Sequence, residues 1–425
     1  MSEAIDIGVY QRRRARLAAA MQEGVAVIPT APERTRNRDA HYPYRFDSYF
    51  YYLTGFREPG AVLVIAAGAA PRSILFCRDK DPEREIWDGY RYGPDAARAA
   101  FEFDEAHSIG QLDARMPEFL ADRDALYCHL GSDAGWDARV TGWINAVRER
   151  ARTGVSAPRA VQDVHALLDE MRLIKAPEEL AVMRRAAVIT AGAHRRAMRA
   201  ARPGRAEYEI EAELLHEFRR HGAQAPAYTP IVASGSRACV LHYVQNDGVL
   251  ADGELLLIDA GCELDGYASD LTRTFPVSGQ FSGAQREVYG LVLAAQAAAI
   301  AAVKVLTEGL IDLKLVQGGV AEAVETEAYK RFYMHRTGHW LGLDVHDAGD
   351  YKRQGDWRVL APGMVLTVEP GCYIRAGEGV PARLAGIGVR IEDDVLVTES
   401  GAEVLTRDAP KGTADIEAWM ATRDS

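Results

Sequence analysis

Hydrophobic positions along the chain change period several times. From Tyr10 to Met21 they recur at helical spacing and give way to an apolar, strand-like run at Val25–Ile28. An aromatic run follows at Tyr49–Phe56, then strand-like runs at Ala61–Ala66 and Ser73–Cys77. Helical spacing returns at Ala96–Phe101 and Trp136–Arg150, with a short strand at Ala125–Leu130 between them. Strands and helices mixed in this way predict an α/β unit that buries its own core.

Beyond about residue 150 helices dominate. One is predicted over Val161–Met171. Another starts at Pro177, followed by Glu178 and Glu179, and runs to about Arg199; proline and acids suit a first helical turn. Pro203-Gly204 interrupts the pattern, and Glu207–Arg220 resumes it until Gly222. Strand-like segments at Thr229–Ala233 and Val240–Val244 precede a hairpin at Leu255–Phe275. Ser282 and Gln285 form a capping box for an alanine-rich helix to about Thr307, ended by Gly309, and a further helix is predicted over Asp312–Glu327.

The hairpin carries the first chemistry. Its run LLLID ends on Asp259, Asp265-Gly266 has the composition of a two-residue turn, and the return strand carries Asp270. That turn sets Leu264 opposite Tyr267, Asp259 opposite Thr272 and Asp270 opposite Gly261. Both carboxylates then lie on one sheet face as diagonal neighbours, roughly 7–8 Å apart at Cα. Taken alone, an aspartate beside a glycine is also ordinary turn chemistry. A weak internal repeat adds to the picture: LLLIDAGC at Leu255–Cys262 is echoed by VLTVEPGC at Val365–Cys372, and each is followed by a second acid-bearing strand, with Asp270 in the first copy and Glu392 in the second. Four acids, Asp259, Asp270, Glu369 and Glu392, would repel one another unless cations lay between them.

Between the repeats stands HRTGHWLGLDVHD, with His335, His339 and His346. One imidazole added to four carboxylates favours manganese, with cobalt, zinc or iron as alternatives; thiolates, which would select softer ions, are missing. His41, His107, His129, His165, His194, His216 and His221 read as packing or surface residues.

Composition narrows the class. With 425 residues, 48% hydrophobic and 26% charged, the chain suits a globular protein of two domains. A net charge of −11 argues against general nucleic-acid binding. The N-terminal residues lack the apolar core and cleavage site of a secretory signal, and the most apolar helical run, Leu291–Val303, falls short of the ~20 residues a bilayer requires, so no membrane partner is expected. Arg12, Arg13, Arg14 and Arg16, at helical spacing beside Leu17 and Met21, read as a solvated face. Five widely spaced cysteines without a Cys-x-x-Cys motif suggest neither a disulfide framework nor a zinc ribbon and fit a reducing cytoplasm.

The stretches IDAGCELDGYASDLTRTFPV, GHWLGLDVHD, LTVEPGCYI and GVRIEDDVLVT resemble the metal motifs of the creatinase-like, or pita-bread, metallopeptidases, and within them the aminopeptidase P branch. The resemblance covers nearly the whole chain, because YPYRFDSYFYYLTGFREPGAVLVI and EIWDGYRYGPDAA resemble that branch's N-terminal domain. It implies an α/β N-terminal domain over residues 1–170 and an α+β pita-bread catalytic domain over 171–425. It also implies two divalent ions: Asp259 chelates one, Asp270 and Glu392 bridge the pair, and His339 and Glu369 hold the other. His242 and His346 would contact substrate and steady the tetrahedral centre, and Glu369 would shuttle the proton. Arg390 would steady the ligand network. Tyr228, His335 and Tyr373 would stand about the substrate, and Trp87 would be lent by a neighbouring subunit of a dimer or tetramer.

The family also places a substrate-facing arginine between His346 and Glu369, where this sequence aligns imperfectly; Arg353 lies there and is not carried over. The activity implied is release of the N-terminal residue from peptides with proline second. A dipeptidase of the prolidase type and a non-catalytic binding protein on the same fold are the alternatives. A creatine-type amidinohydrolase is disfavoured by the complete ligand set.

Overall fold

A computed structural model of the chain describes residues 5–422, apart from the side chain of residue 300; the outermost positions of the expected domains, 1–4 and 423–425, lie outside the described residues. The chain divides between Arg172 and Leu173 into two compact units.

The first unit is built on a six-stranded sheet whose order is Glu105–Ser108, Arg72–Cys77, Val62–Ala66, Val25–Pro29, Ala125–Tyr127 and Ala160–Gln162. The central pairings are antiparallel and the outer ones parallel. Every residue of Val62–Ala66 is buried, which explains its unbroken apolar run. Val64, Ile74 and Phe76 meet Leu112, Met116 and Trp143 from the covering helices in one core. The aromatic run forms a helix, Ser48–Thr54, because Asp47 accepts from the Phe50 amide at 2.8 Å and Gly55, at φ +66°, closes the other end. The helix expected over Val161–Met171 is corrected: Ala160–Gln162 is an edge strand, and Asp163 accepts from the His165 amide at 3.0 Å to start a helix only at His165–Leu173.

In the second unit, helices Pro177–Ala200 and Glu207–Arg220 pack together, and the first also covers strand Cys262–Leu264. Glu179 and Glu209 accept from the Ala176 and Ala206 amides, satisfying donors that helix starts leave open. Three sequence expectations change. The alanine-rich helix breaks at Ala299–Ala301 and continues as Ala302–Asp312 through Gly309. Gly309 is a packing residue and not a stop: a Cβ there would lie 2.2 Å from a methyl of Leu291. Of the helix expected over Asp312–Glu327, Asp312 ends the preceding helix and only Val320–Glu325 is otherwise α-helical, beyond Gly318 at φ +90°.

Val240–Val244 is not a strand. A 3₁₀ turn at Gly235–Cys239 leads into an irregular segment tied to the fully buried Glu207, which accepts from the Ser234 and Gly248 amides and the Tyr243 hydroxyl. Polar partners there replace a β-ladder.

Both acid-bearing hairpins share one construction. In the first, Leu255–Asp259 pairs with Thr272–Pro276 and Cys262–Leu264 with Tyr267–Ala268, in the register set by the turn: Asp259 lies opposite Thr272 and Leu264 opposite Tyr267. Asp265 and Gly266 take φ of +51° and +86°, as such a turn requires. The ladder lapses between these halves, which join two different three-stranded sheets. In the second hairpin Val365–Val368 pairs with Asp393–Thr398 and Gly371–Ile374 with Ile387–Arg390, with the same lapse between them. Asp270 sits in one lapse; Glu369 and Glu392 face each other across the other.

Candidate metal centre

Backbone freed by the lapses is taken up by side chains that aim the acids. Asp394 accepts from the Asp270 amide at 3.1 and 3.2 Å and from the Ser269 hydroxyl at 2.8 Å. Thr272 donates to Glu392 at 2.6 Å, which links the hairpins. Across from Asp270 only glycine fits, since a Cβ on Gly261 would fall 1.6 Å from the Ser269 carbonyl oxygen. His194, counted as packing from sequence, is fully buried, and its Nε2 donates to the carbonyl of Ala260, next to Asp259, at 2.9 Å.

Histidines enter from the loop between the hairpins. Gly338 lets that loop pass the Thr367 carbonyl, which would stand 2.0 Å from a Cβ. His339 Nδ1 donates to the Trp340 carbonyl at 3.0 Å, which turns Nε2 towards Asp270 at 3.4 Å and Glu369 at 3.5 Å. His346 stands edge-on to His339, ring centroids 4.4 Å apart. The residue after it, Asp347, forms a buried ion pair with Lys175 at 2.9 Å that anchors the loop's far end.

A chain of contacts backs the acids. Arg390 donates to Asp259 at 2.5 Å, to Thr272 at 3.0 Å and to the Tyr373 hydroxyl at 3.0 Å. Tyr373 donates to His335 Nε2 at 2.8 Å, and His335 Nδ1 donates to the Arg336 carbonyl at 2.8 Å. The Tyr228 hydroxyl stands 2.5 Å from both Asp259 and Asp270.

Electrostatics make this centre hungry for positive charge. Burial raises the Asp259 carboxyl pKa against the pull of Arg390, with Asp270 adding to the rise. Burial and the charges of Asp270 and Glu369 lift Glu392 well above the carboxylate range. Glu369 is pushed up to about 7 by burial, with His339 opposing and Asp270 reinforcing. Burial disfavours the His339 cation, yet Asp270 and Glu369 outweigh it and lift that imidazole to about 9. Ligand atoms of Asp270, His339 and Glu392 lie within 4.8 Å of one another. Oxygens with one nitrogen, buried and converging, fit hard or borderline divalent ions.

The acids line a cavity of about 610 Å³ together with Tyr228, His242, His335, His339, His346 and Arg390. Tyr373 is fully buried and stands behind His335, away from the lining. Trp87 belongs to the other unit, on helix Pro82–Asp88, and is 84% exposed. Asp394, Thr272, His194 and Lys175 escaped sequence reasoning; of these only Asp394, an acid in the apolar run after Glu392, left a signal.

Two family models match the chain: Metallopeptidase family M24 over residues 181–399 and Aminopeptidase P, N-terminal domain, over residues 10–127. Xaa-Pro aminopeptidase of Escherichia coli is 45% identical over 428 residues, covering 97% of each chain. The solved structure of Pseudomonas aeruginosa aminopeptidase PepP superposes with a TM-score of 0.97 at 49% identity, covering 99% of each chain. Zinc-substituted Escherichia coli aminopeptidase P in complex with product superposes equally well, at 44% identity over the full length of both. The expected architecture, an α/β N-terminal domain followed by a pita-bread catalytic domain, holds.

Proposed function

Because the chain belongs to metallopeptidase family M24, we propose that its centre releases the N-terminal residue from peptides with proline in second position. The observation that carries this reading is the convergence of Asp259, Asp270, His339, Glu369 and Glu392 on one wall of a cavity of about 610 Å³. Such a volume suits a short peptide.

Asp259, Asp270 and Glu392 would hold one divalent ion, and His339, Glu369 and the bridging Asp270 and Glu392 a second; manganese is the metal this donor set favours. When bound, the ions supply Lewis acidity, lowering the pKa of a water and polarising the scissile carbonyl. Glu369 faces the cavity and takes the proton from the attacking water, then returns it to the proline nitrogen as the C–N bond breaks. His242 and His346 donate to the carbonyl oxygen as its carbon becomes tetrahedral. Burial and the nearby His339 hold the His346 imidazole below its ordinary pKa, so it acts as a neutral N–H donor. Burial likewise pushes His335 down to about 4, leaving an uncharged ring in a cavity lining that also includes Tyr228 and Ile231 and suits the proline ring. Arg390 holds Asp259 in place, with Tyr373 supporting it.

Two wider expectations also have support. The exposed Trp87 suits the reading that subunits of a dimer or tetramer share sites. All five cysteines are free and buried, which suits a reducing compartment such as the cytoplasm. No helix among the described residues is long and apolar enough to cross a membrane.

The test is hydrolysis of Xaa-Pro and Xaa-Pro-Yaa peptides by chelator-stripped protein, with and without manganese. Cleavage of the longer peptide only after metal returns is the expected result. Dipeptide-only cleavage would make the protein a prolidase, and no cleavage with any metal would leave a binding protein.

A further inference from the structure

Two arginines line the cavity, and their situations are opposite. Arg390 is buried and bonded to Asp259, Thr272 and Tyr373. Arg336 is exposed, and among the described residues its guanidinium pairs with no carboxylate and donates no hydrogen bond. Its Cζ stands 5.7 Å from the ring centroid of Tyr351, another lining residue. The backbone beneath it is fixed: its carbonyl accepts from His335, and two residues on Gly338 is held against Thr367. A rigid main chain thus presents an unengaged cation at the cavity wall. Histidines aside, the other charged groups on that wall are Arg390 and the four acids that face the metal centre.

We propose that Arg336 binds a carboxylate of the substrate on the proline side of the scissile bond, most simply the C-terminal carboxylate of a Xaa-Pro-Yaa tripeptide. This rests on the aminopeptidase reading above and adds to it the charge the enzyme selects downstream. A guanidinium matches a carboxylate through two parallel N–H···O bonds, and the face of Tyr351 keeps the planar group oriented while leaving its edge to the ligand. The third residue's carboxylate lies roughly 7 Å beyond the scissile carbonyl at about 3.3–3.6 Å per extended residue, and Arg336 and the acids line the same cavity of about 610 Å³. Arg353, the arginine that sequence alone brings to mind, lies on an exposed two-residue strand, Lys352–Arg353, outside the lining.

The test compares kcat/KM of the manganese-loaded protein for a Xaa-Pro-Yaa peptide with a free C-terminal carboxylate and for its C-terminal amide. The native protein should favour the free acid by about tenfold, mostly through KM, as an exposed charge-assisted contact would give. Arg336→Gln should bring the ratio to about one, Arg336→Lys should retain part of it, and Arg353→Gln should keep it whole. A native ratio of one, or an unchanged ratio in Arg336→Gln, overturns the assignment. If the native protein cleaves neither peptide, the aminopeptidase reading itself falls.

Discussion

In the first hairpin the strands turn through two residues, Asp265 and Gly266, while in the second Gly371–Ile374 and Ile387–Arg390 are joined by a loop over residues 375–386. Both keep register across a lapse in the ladder, and both place acids there, Asp270 in the first and Glu369 and Glu392 in the second, while Asp259 stands on the last paired position before the first lapse. The first holds aspartates on a diagonal and needs Asp394, from the second, to fix the Asp270 backbone. The second sets two longer glutamates face to face and needs Thr272, from the first, to aim Glu392. Arg390 of the second pairs with Asp259 of the first. A lapsed ladder is an opening for polar side chains: each hairpin supplies acids and also the groups that orient the other's acids.

The largest break in this arrangement is loss of an acid at the lapse. Asp270→Ala should lower turnover by at least about 10³-fold while the fold persists, since a small side chain is tolerated there; steady-state kinetics beside a thermal melt would check it. Arg390→Met should come next, with about 10²-fold lower turnover and about 3 kcal/mol lower stability in denaturant titration, because Asp259 would be left buried without its partner. Asp394→Ala should weaken manganese binding by about tenfold, as loss of an orienting contact behind a ligand does, with KM for peptide at saturating metal almost unchanged. If Asp394→Ala left affinity untouched, the hairpins would be independent supports and not mutual ones.

The effect most remote from turnover concerns pH. Burial pushes the His194 pKa from its ordinary 6.5 down to about 4, so the fold favours the neutral ring. Its contribution is present in full above pH 6.5 and is lost as pH falls towards 4, at most about 3 kcal/mol. Metal-free native protein should therefore lose stability more steeply than His194→Gln over that window, as read from denaturation midpoints. Parallel curves would remove His194 from the support of Ala260.

Sequence reached the first hairpin in register because an Asp-Gly turn fixes the pairing of every residue behind it. It pointed to the acids because charges set into apolar runs are costly to bury unless they bind something, whereas His339 stood out from His335 and His346 only through the resemblance to the family's motif. What it missed follows from the same physics. Val240–Val244 has strand composition, yet Glu207, distant in sequence, claims its neighbours' hydrogen bonds. Gly309 looks like a helix end until Leu291 is seen packed against it. Lys175 carries no local sign of Asp347, since an ion pair bridging 172 positions has no sequence period to betray it.

The two lapsed hairpins are proposed to hold a pair of divalent ions between them. The most direct measurement is manganese stoichiometry by isothermal titration of chelator-stripped protein, native beside Asp270→Ala. Two ions per chain in the native protein, with at least one lost in the variant, is the predicted result. A single ion, or the same count in both proteins, would contradict it.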